Sequence, residues 1–158
     1  MKIAIAQLNP VIGDLKGNAE HILAAAEKAA AQGARLMLTP ELSISGYPPK
    51  DLLMRPGFVQ TMQDTIKNLA QALPPTLAVL VGTAESNRQS SQKGGKSLFN
   101  SIVLLDGGQA KQSFHKRLLP TYDVFDDERY FCPDPAPAES PNVFTLDGVI
   151  IGVTICED

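Results

Sequence analysis

The order of the apolar segments constrains the fold of this chain more strongly than any other feature of its sequence. Apolar residues recur at helical spacing in two stretches, 18–32 and 58–73, which alternate with strand-like segments at 2–8, 35–39 and 77–83. Two predicted hairpins follow, with strands at 98–105 and 110–114 and at 143–146 and 149–155, each joined by an Asp-Gly turn. This order predicts an α/β layered fold with a mixed β-sheet flanked by helices.

Two further segments are composed of loop-forming residues. Residues 87–96 are polar and rich in Ser, Gly and Gln, which predicts a mobile surface loop, and residues 134–141 form a Pro-rich connector. Neither segment divides the chain, and 158 residues suit one domain or a piece of a larger one. The last predicted strand is a core strand followed by only Cys156, Glu157 and Asp158, which favours a truncated domain.

Composition argues against several classes of function. Fourteen basic and seventeen acidic residues give a net charge of −3 with no basic stripe, so nucleic acid is not the expected partner. No apolar run approaches the roughly 18 residues that a membrane span needs, and the N-terminal segment does not resemble a secretory signal. We therefore expect a cytoplasmic protein with no membrane partner, in which Cys132 and Cys156 are reduced. Two Cys and two His, widely spaced, do not make a zinc site.

Three residues with reactive side chains share one placement along the chain. Glu41 follows the predicted strand at 35–39, Lys116 follows the strand at 110–114, and Cys156 follows the last strand. Ligands of open α/β sheets bind beyond the carboxyl ends of the strands, so parallel strands would bring these side chains to one edge of the sheet. Simpler explanations stay open: Cys156 as a small buried apolar residue, Glu41 as a solvated carboxylate, and Lys116 as part of a charged surface.

Three motifs carry a resemblance to a known family. The segments PELSISGYPPKDLL at 40–53, KRLLPTYDVFDDERYF at 116–131 and GVTICED at 152–158 resemble the glutamate, lysine and nucleophile motifs of the nitrilase superfamily of carbon-nitrogen hydrolases. They stand in the family's order, and the first two are similar to those of its NAD synthetase branch. The resemblance implies that residues 1–158 are the N-terminal portion of a carbon-nitrogen hydrolase domain, a nitrilase-type α-β-β-α sandwich truncated just after the nucleophile.

The resemblance also implies a catalytic triad of Glu41, Lys116 and Cys156. Cys156 would attack a carboxamide carbon, and Glu41 would be the general base that takes the thiol proton. Lys116, together with a backbone N–H just after Cys156, would donate hydrogen bonds to the oxyanion of the tetrahedral intermediate.

Substrate-binding residues are implied by the same likeness. Tyr122 and Glu157 would belong to a glutamine pocket, with Glu157 holding the α-ammonium group, and Tyr47 would lie near the triad. For Tyr47 and Tyr122, packing beside proline is an equally good interpretation. The acidic cluster is expected to be a solvated turn rather than a functional element; it comprises Asp123, Asp126, Asp127 and Glu128.

The implied activity is the glutaminase half of a glutamine-dependent NAD synthetase, which supplies ammonia for amidation of nicotinate adenine dinucleotide. Glutamine hydrolysis needs no metal or organic cofactor, and ATP and magnesium are implied only for a synthetase domain absent from these residues. A homo-oligomer is implied for the full-length enzyme. Two other hypotheses stay open, namely a stand-alone nitrilase-like amidase acting on another small amide, and an inert fragment or interaction module. The isolated piece is expected to be a weak catalyst or none.

Overall fold

The main sheet has five strands, in a computed structural model that describes residues 1–90, 94–136 and 142–158. In sheet order, β1 to β5 are Ile3–Ile5, Leu36–Leu38, Ala78–Ser86, Leu98–Asp106 and Gln109–His115. β1, β2 and β3 run parallel, whereas β4 is antiparallel to β3 and β5 is antiparallel to β4. The predicted mixed sheet is confirmed.

Both predicted long helices are present, and their apolar residues pack against the main sheet. α1 spans Leu15–Ala31 and begins earlier than predicted, because the Asp14 side chain accepts a hydrogen bond from the Gly17 backbone at 3.0 Å. α2 spans Phe58–Ala72, close to its predicted bounds. The shared core of these helices and the sheet includes Ile22, Ala26, Met62, Ile66, Leu69, Met37, Val79, Val81 and Val103.

Two short helices that the sequence pattern did not predict lie in loops. A 3-10 helix spans Lys50–Met54, in the segment after Glu41, and a single turn of helix, α3, spans Asp127–Tyr130. The Tyr130 hydroxyl donates a hydrogen bond of 2.8 Å to Asp51, so the two short helices are joined. The loops that they stabilise are those that carry the glutamate and lysine motifs.

The last two strands form a separate two-stranded sheet, with β6 at Val143–Leu146 and β7 at Val149–Gly152. The predicted strand at 149–155 is therefore too long, and it is not a core strand, since Ile150 in β7 is 75% exposed. The inward side chains of this hairpin pack on the face of the main sheet opposite the helices. That second core contains Leu36, Leu80, Leu104, Phe114, Phe144, Leu146 and Val153.

The remaining sequence predictions concern loops, membranes and cysteines. The predicted loop at 87–96 and the predicted connector at 134–141 each lie partly outside the described residues. Within the part of the chain that the structure describes, no helix combines the length and apolar character needed to cross a membrane. Cys132 and Cys156 are both free, with Cys156 the more exposed of the two.

Candidate active site

Glu41 and Lys116 lie at the same edge of the main sheet, because β2 and β5 point in the same direction. Two successive antiparallel pairings, β3 with β4 and β4 with β5, return β5 to the direction of β2. Glu41 comes three residues after β2 ends, and Lys116 comes directly after β5. Cys156 follows the β6–β7 hairpin instead of a strand of this sheet, so the expectation of three strands ending at one sheet edge is only partly correct.

The Lys116 ammonium is the centre of a buried hydrogen-bonded cluster. Its Nζ donates to Glu41 Oε1 at 2.8 Å and to Asp127 Oδ2 at 2.9 Å. The Lys116 side chain is 1% exposed, whereas that of Glu41 is 21% exposed, so the cluster opens to solvent on the Glu41 side. Asn100 Nδ2 donates a second hydrogen bond to Glu41 Oε1, at 2.6 Å. The Glu41 carboxylate is thereby oriented by two donors, Asn100 in β4 and Lys116 directly after β5.

Asp127 corrects the expectation of a wholly solvated acidic turn. Asp123, Asp126 and Glu128 are exposed, but Asp127 is 4% exposed and paired with Lys116. The Asp127 backbone N–H donates to Pro120 O at 3.1 Å, which fixes the start of α3 against the lysine-motif loop and leaves the carboxylate pointing inward. A buried ammonium needs compensating charge, and Asp127 and Glu41 together provide it.

Charge and burial set the protonation states at the site. Burial lowers the pKa of Lys116, but the hydrogen bonds and ion pairs with Glu41 and Asp127 outweigh it and raise the pKa above its ordinary value. Lys116 is therefore an ammonium at neutral pH. Burial, followed by the charge of Glu41, raises the pKa of the Cys156 thiol, and the charge of Lys116 opposes this. Cys156 thus lies within the fields of both Glu41 and Lys116, and it is a thiol that needs a base to become a nucleophile.

Cys156 occupies a tight turn in a left-handed backbone conformation. Its φ is +51°, which is uncommon for a residue with a side chain, and the Asp158 N–H closes the turn onto Ile155 O at 3.2 Å. The Asp158 carboxylate joins this turn to the lysine motif: Oδ1 accepts from the backbone N–H groups of Arg117 at 2.8 Å and Leu118 at 2.9 Å. Oδ2 accepts from the Ile155 N–H at 3.2 Å. Asp158 therefore links the segments that carry Cys156 and Lys116.

The three residues expected at the substrate pocket fall in two places. Tyr122 and Glu157 meet each other, with the tyrosine hydroxyl donating to Glu157 Oε2 at 2.8 Å, and both line an open cleft of about 420 Å³. Tyr47 donates to Asp127 Oδ1 at 3.2 Å and so contacts the lysine cluster. Burial, and then the charges of Asp127 and Glu41, raise the pKa of Tyr47, which keeps its hydroxyl protonated as a donor.

Three residues of the site were not predicted from the sequence as site residues: Asn100, Asp127 and Asp158. Asn100 is 1% exposed within the apolar strand β4, and a polar residue in such a run is a signal of a buried hydrogen-bonding role. Asp127 gives no such signal, because its acidic neighbours are solvated. Asp158 gives none either, since its three partners are backbone groups.

This chain is similar to known proteins along nearly its whole length. The family model for carbon-nitrogen hydrolases matches residues 2–158. A glutamine-dependent NAD(+) synthetase of Synechocystis is 54% identical over 156 residues, which cover 99% of this chain and 27% of that protein. The solved glutamine-dependent NAD+ synthetase of Acinetobacter baumannii in complex with ADP superposes with a TM-score of 0.86 at 34% identity, over 99% of this chain and 27% of that one.

A smaller enzyme has the same fold. An amidase from Nesterenkonia superposes with a TM-score of 0.76 at 25% identity, over 98% of this chain and 54% of that chain. A variant of that amidase shows the result of Michael addition of acrylamide at the active-site cysteine. The chain thus spans roughly a quarter of the synthetases it matches, 27% of the Synechocystis protein, and about half of the amidase.

Proposed function

The chain belongs to the carbon-nitrogen hydrolase family, and we propose that it is the glutamine-hydrolysing part of a glutamine-dependent NAD synthetase. The observation that carries the proposal is the contact of 2.8 Å between the Lys116 ammonium and the Glu41 carboxylate, with the Cys156 turn joined to the lysine motif by Asp158. The similarity to synthetases at up to 54% identity supports the choice of glutamine as the amide. This arrangement supports the catalytic roles proposed for Glu41, Lys116 and Cys156.

The first half-reaction is proposed to form a thioester on Cys156. Glu41 takes the proton of the thiol as the sulfur attacks the carboxamide carbon of glutamine. The carbonyl oxygen becomes an oxyanion, which accepts hydrogen bonds from the Lys116 ammonium and from the backbone N–H that follows Cys156. Collapse of this intermediate breaks the carbon–nitrogen bond, and the proton held by Glu41 passes to the nitrogen, which leaves as ammonia.

The second half-reaction reuses the same groups. Glu41 takes a proton from water, the resulting hydroxide attacks the thioester carbon, and Lys116 again stabilises the oxyanion. Loss of the Cys156 sulfur, which regains a proton, releases glutamate. Asp127 serves this chemistry by holding the ammonium of Lys116 in place, and Asn100 by orienting Glu41, as their bonds of 2.9 Å and 2.6 Å indicate.

Glutamine is proposed to bind in the cleft beside Tyr122 and Glu157. The Glu157 carboxylate would pair with the α-ammonium group, and Tyr122, now bonded to it at 2.8 Å, would line the wall. Tyr47 would support the site through Asp127 and not through the substrate, given its hydrogen bond of 3.2 Å to that residue.

The rest of the proposed activity lies outside this chain. Ammonia would pass to a synthetase domain that uses ATP and magnesium to amidate nicotinate adenine dinucleotide, and glutamine hydrolysis here would use no cofactor. The chain covers only 27% of the Synechocystis relative, which is consistent with a further domain in the parent enzyme. The cytoplasmic location and the homo-oligomer stay predictions.

Ammonia release from L-glutamine tests the proposal directly. We expect the chain to release ammonia at a rate above that of its Cys156→Ala variant, even if slowly, with D-glutamine as the matched substrate control. Equal rates for the two proteins would leave these 158 residues without the proposed chemistry.

The stand-alone amidase is the second candidate, and the Nesterenkonia amidase at a TM-score of 0.76 favours it. An amidase for simple amides would hydrolyse propionamide as well as glutamine and would not respond to Glu157→Gln. A glutaminase would lose most of its selectivity for glutamine in that variant, because the partner of the α-ammonium group would lose its charge.

A further inference from the structure

Gly82 lies in the middle of β3, where glycine is not favoured by the backbone. It pairs with Ile102 of β4 in a regular antiparallel register, and its φ is not in the left-handed region. A strand interior favours β-branched residues over glycine by up to about 1 kcal/mol, so glycine at such a position indicates a close approach of another group.

The group that approaches Gly82 is the backbone on either side of Glu41. A Cβ atom added at Gly82 would lie 2.5 Å from Leu42 N and 3.0 Å from Glu41 C, and closer still to Pro40 O. All three are backbone atoms, so no change of side-chain rotamer could relieve the overlap. The segment at 40–42 therefore rests directly on the main chain of β3.

Residues on either side of this segment are hydrogen-bonded to the backbone of Gly82. The Ile44 N–H donates to Gly82 O at 3.1 Å, and the Ser43 hydroxyl donates to the same oxygen at 3.2 Å. The Gly82 N–H donates to Thr39 Oγ1 at 3.2 Å, and the hydroxyls of Thr39 and Ser43 are 2.8 Å apart. The pairing of β2 with β3 ends at Leu38 and Leu80. Beyond that point, the hydrogen bonds of Gly82 connect the chain after β2 to β3.

We propose that Gly82 is a positioning residue for Glu41. Because Gly82 has no side chain, the backbone of residues 40–42 lies directly against β3, and this places the Glu41 carboxylate within hydrogen-bond distance of Lys116 and Asn100. The effect of Gly82 on turnover rests on the proposed function, whereas its effect on the placement of Glu41 does not. Ordinary contact of a Cβ begins at about 3.4 Å, so relief of the 2.5 Å contact moves the segment by about 1 Å. Such a shift breaks hydrogen bonds of 2.8 Å and 2.6 Å to Glu41.

The test compares Gly82→Ala with Gly33→Ala, a control outside the site. Gly33 follows α1, and nothing lies within 4 Å of a Cβ added there. We expect Gly82→Ala to lower kcat for glutamine hydrolysis about 100-fold with little change in KM, as displacement of a catalytic group by about 1 Å does, and Gly33→Ala to change neither.

A second readout needs no turnover: the midpoint pH for alkylation of Cys156 by iodoacetamide, measured in a Cys132→Ser background. The charge of Glu41 raises the pKa of Cys156, so Glu41→Gln lowers this midpoint. We expect Gly82→Ala to lower it in the same direction, and to cause no further shift when added to Glu41→Gln. An unchanged midpoint, or an equal shift in both backgrounds, would overturn the proposal.

The two readouts distinguish a failure of the proposed function from a failure of the positioning role of Gly82. If the parent chain releases no ammonia, the proposed function fails while the alkylation cycle still reports on Gly82. If Gly82→Ala does not fold, Ser43→Ala replaces it, because that change removes a hydrogen bond to Gly82 O without adding volume. A folded Ser43→Ala with an unshifted midpoint would then refute the positioning role.

Discussion

Replacement of Asp127 by alanine should destabilise the fold far more than replacement of its exposed neighbour Glu128. Lys116 is 1% exposed, and Asp127, whose side chain is 5% exposed, supplies one of its two carboxylate partners. Removal of one member of a buried ion pair typically costs about 3–5 kcal/mol. Because Glu41 remains 2.8 Å from the ammonium, we expect the lower end, about 3 kcal/mol.

Urea and thermal unfolding followed by circular dichroism measure this loss. For a domain of about this size, 1 kcal/mol lowers Tm by about 2–4 °C, so Asp127→Ala should lower Tm by about 6–12 °C. Glu128→Ala should stay within about 0.5 kcal/mol of the parent chain, since it is an exposed side chain in the same single-turn helix.

The double variant with Lys116→Met shows whether the loss comes from the ion pair. Without the ammonium, Asp127 has no charge to compensate, so the double variant should be more stable than the sum of the single changes by about 1–3 kcal/mol. Additive losses, or an Asp127→Ala variant as stable as Glu128→Ala, would refute the assignment of Asp127 as a buried counter-ion.

Three further changes test other parts of the site. Asn100→Ala removes the 2.6 Å donor to Glu41 and should reduce kcat for glutamine hydrolysis about tenfold or more, whereas an unaltered kcat would remove Asn100 from the site. Asp158→Ala leaves three backbone N–H groups without their carboxylate and should reduce kcat while leaving α1 and α2 intact by circular dichroism; full activity would contradict the link. Gly46→Ala should cost well over 1 kcal/mol in unfolding free energy, because its φ is +73° and an added Cβ would lie 2.8 Å from Ile12 Cα. Gly33→Ala is the control, because its φ is +77° but nothing lies within 4 Å of an added Cβ. Equal losses of unfolding free energy would show that backbone strain, and not the contact with Ile12, determines the cost.

Local patterns were sufficient for much of the fold. The helical spacing of apolar residues predicted α1 and α2, and the apolar run at 77–83 predicted most of β3, because these signals are contained in a single segment. The β6–β7 hairpin was predicted at its place in the sequence, with the second strand too long, but its membership of a separate sheet depends on packing between distant segments. A hairpin has the same alternation whichever sheet it covers.

Some residues of the site could likewise be predicted from the sequence, and others could not. Glu41, Lys116 and Cys156 stand at strand or hairpin ends within recognisable motifs, so the sequence alone marks them. The burial of Asp127 depends on a contact of 2.9 Å with Lys116, and nothing in the run of four acidic residues distinguishes it. The role of Asp158 depends on the backbone N–H groups of Arg117 and Leu118, which are 41 and 40 residues away and give no side-chain pattern in the sequence.

Titration of the Cys156 thiol tests the central claim, that an acid, an amine and a thiol act on one another at one place. Burial is the largest cause that raises the pKa of Cys156; the charge of Glu41 raises it further, the charge of Lys116 lowers it, and Glu157 and Asp127 have smaller raising effects. Glu41→Gln should therefore lower the midpoint pH of Cys156 alkylation, and Lys116→Met should raise it. Midpoints that neither substitution moves, or that both move in the same direction, would contradict the convergence of the three side chains.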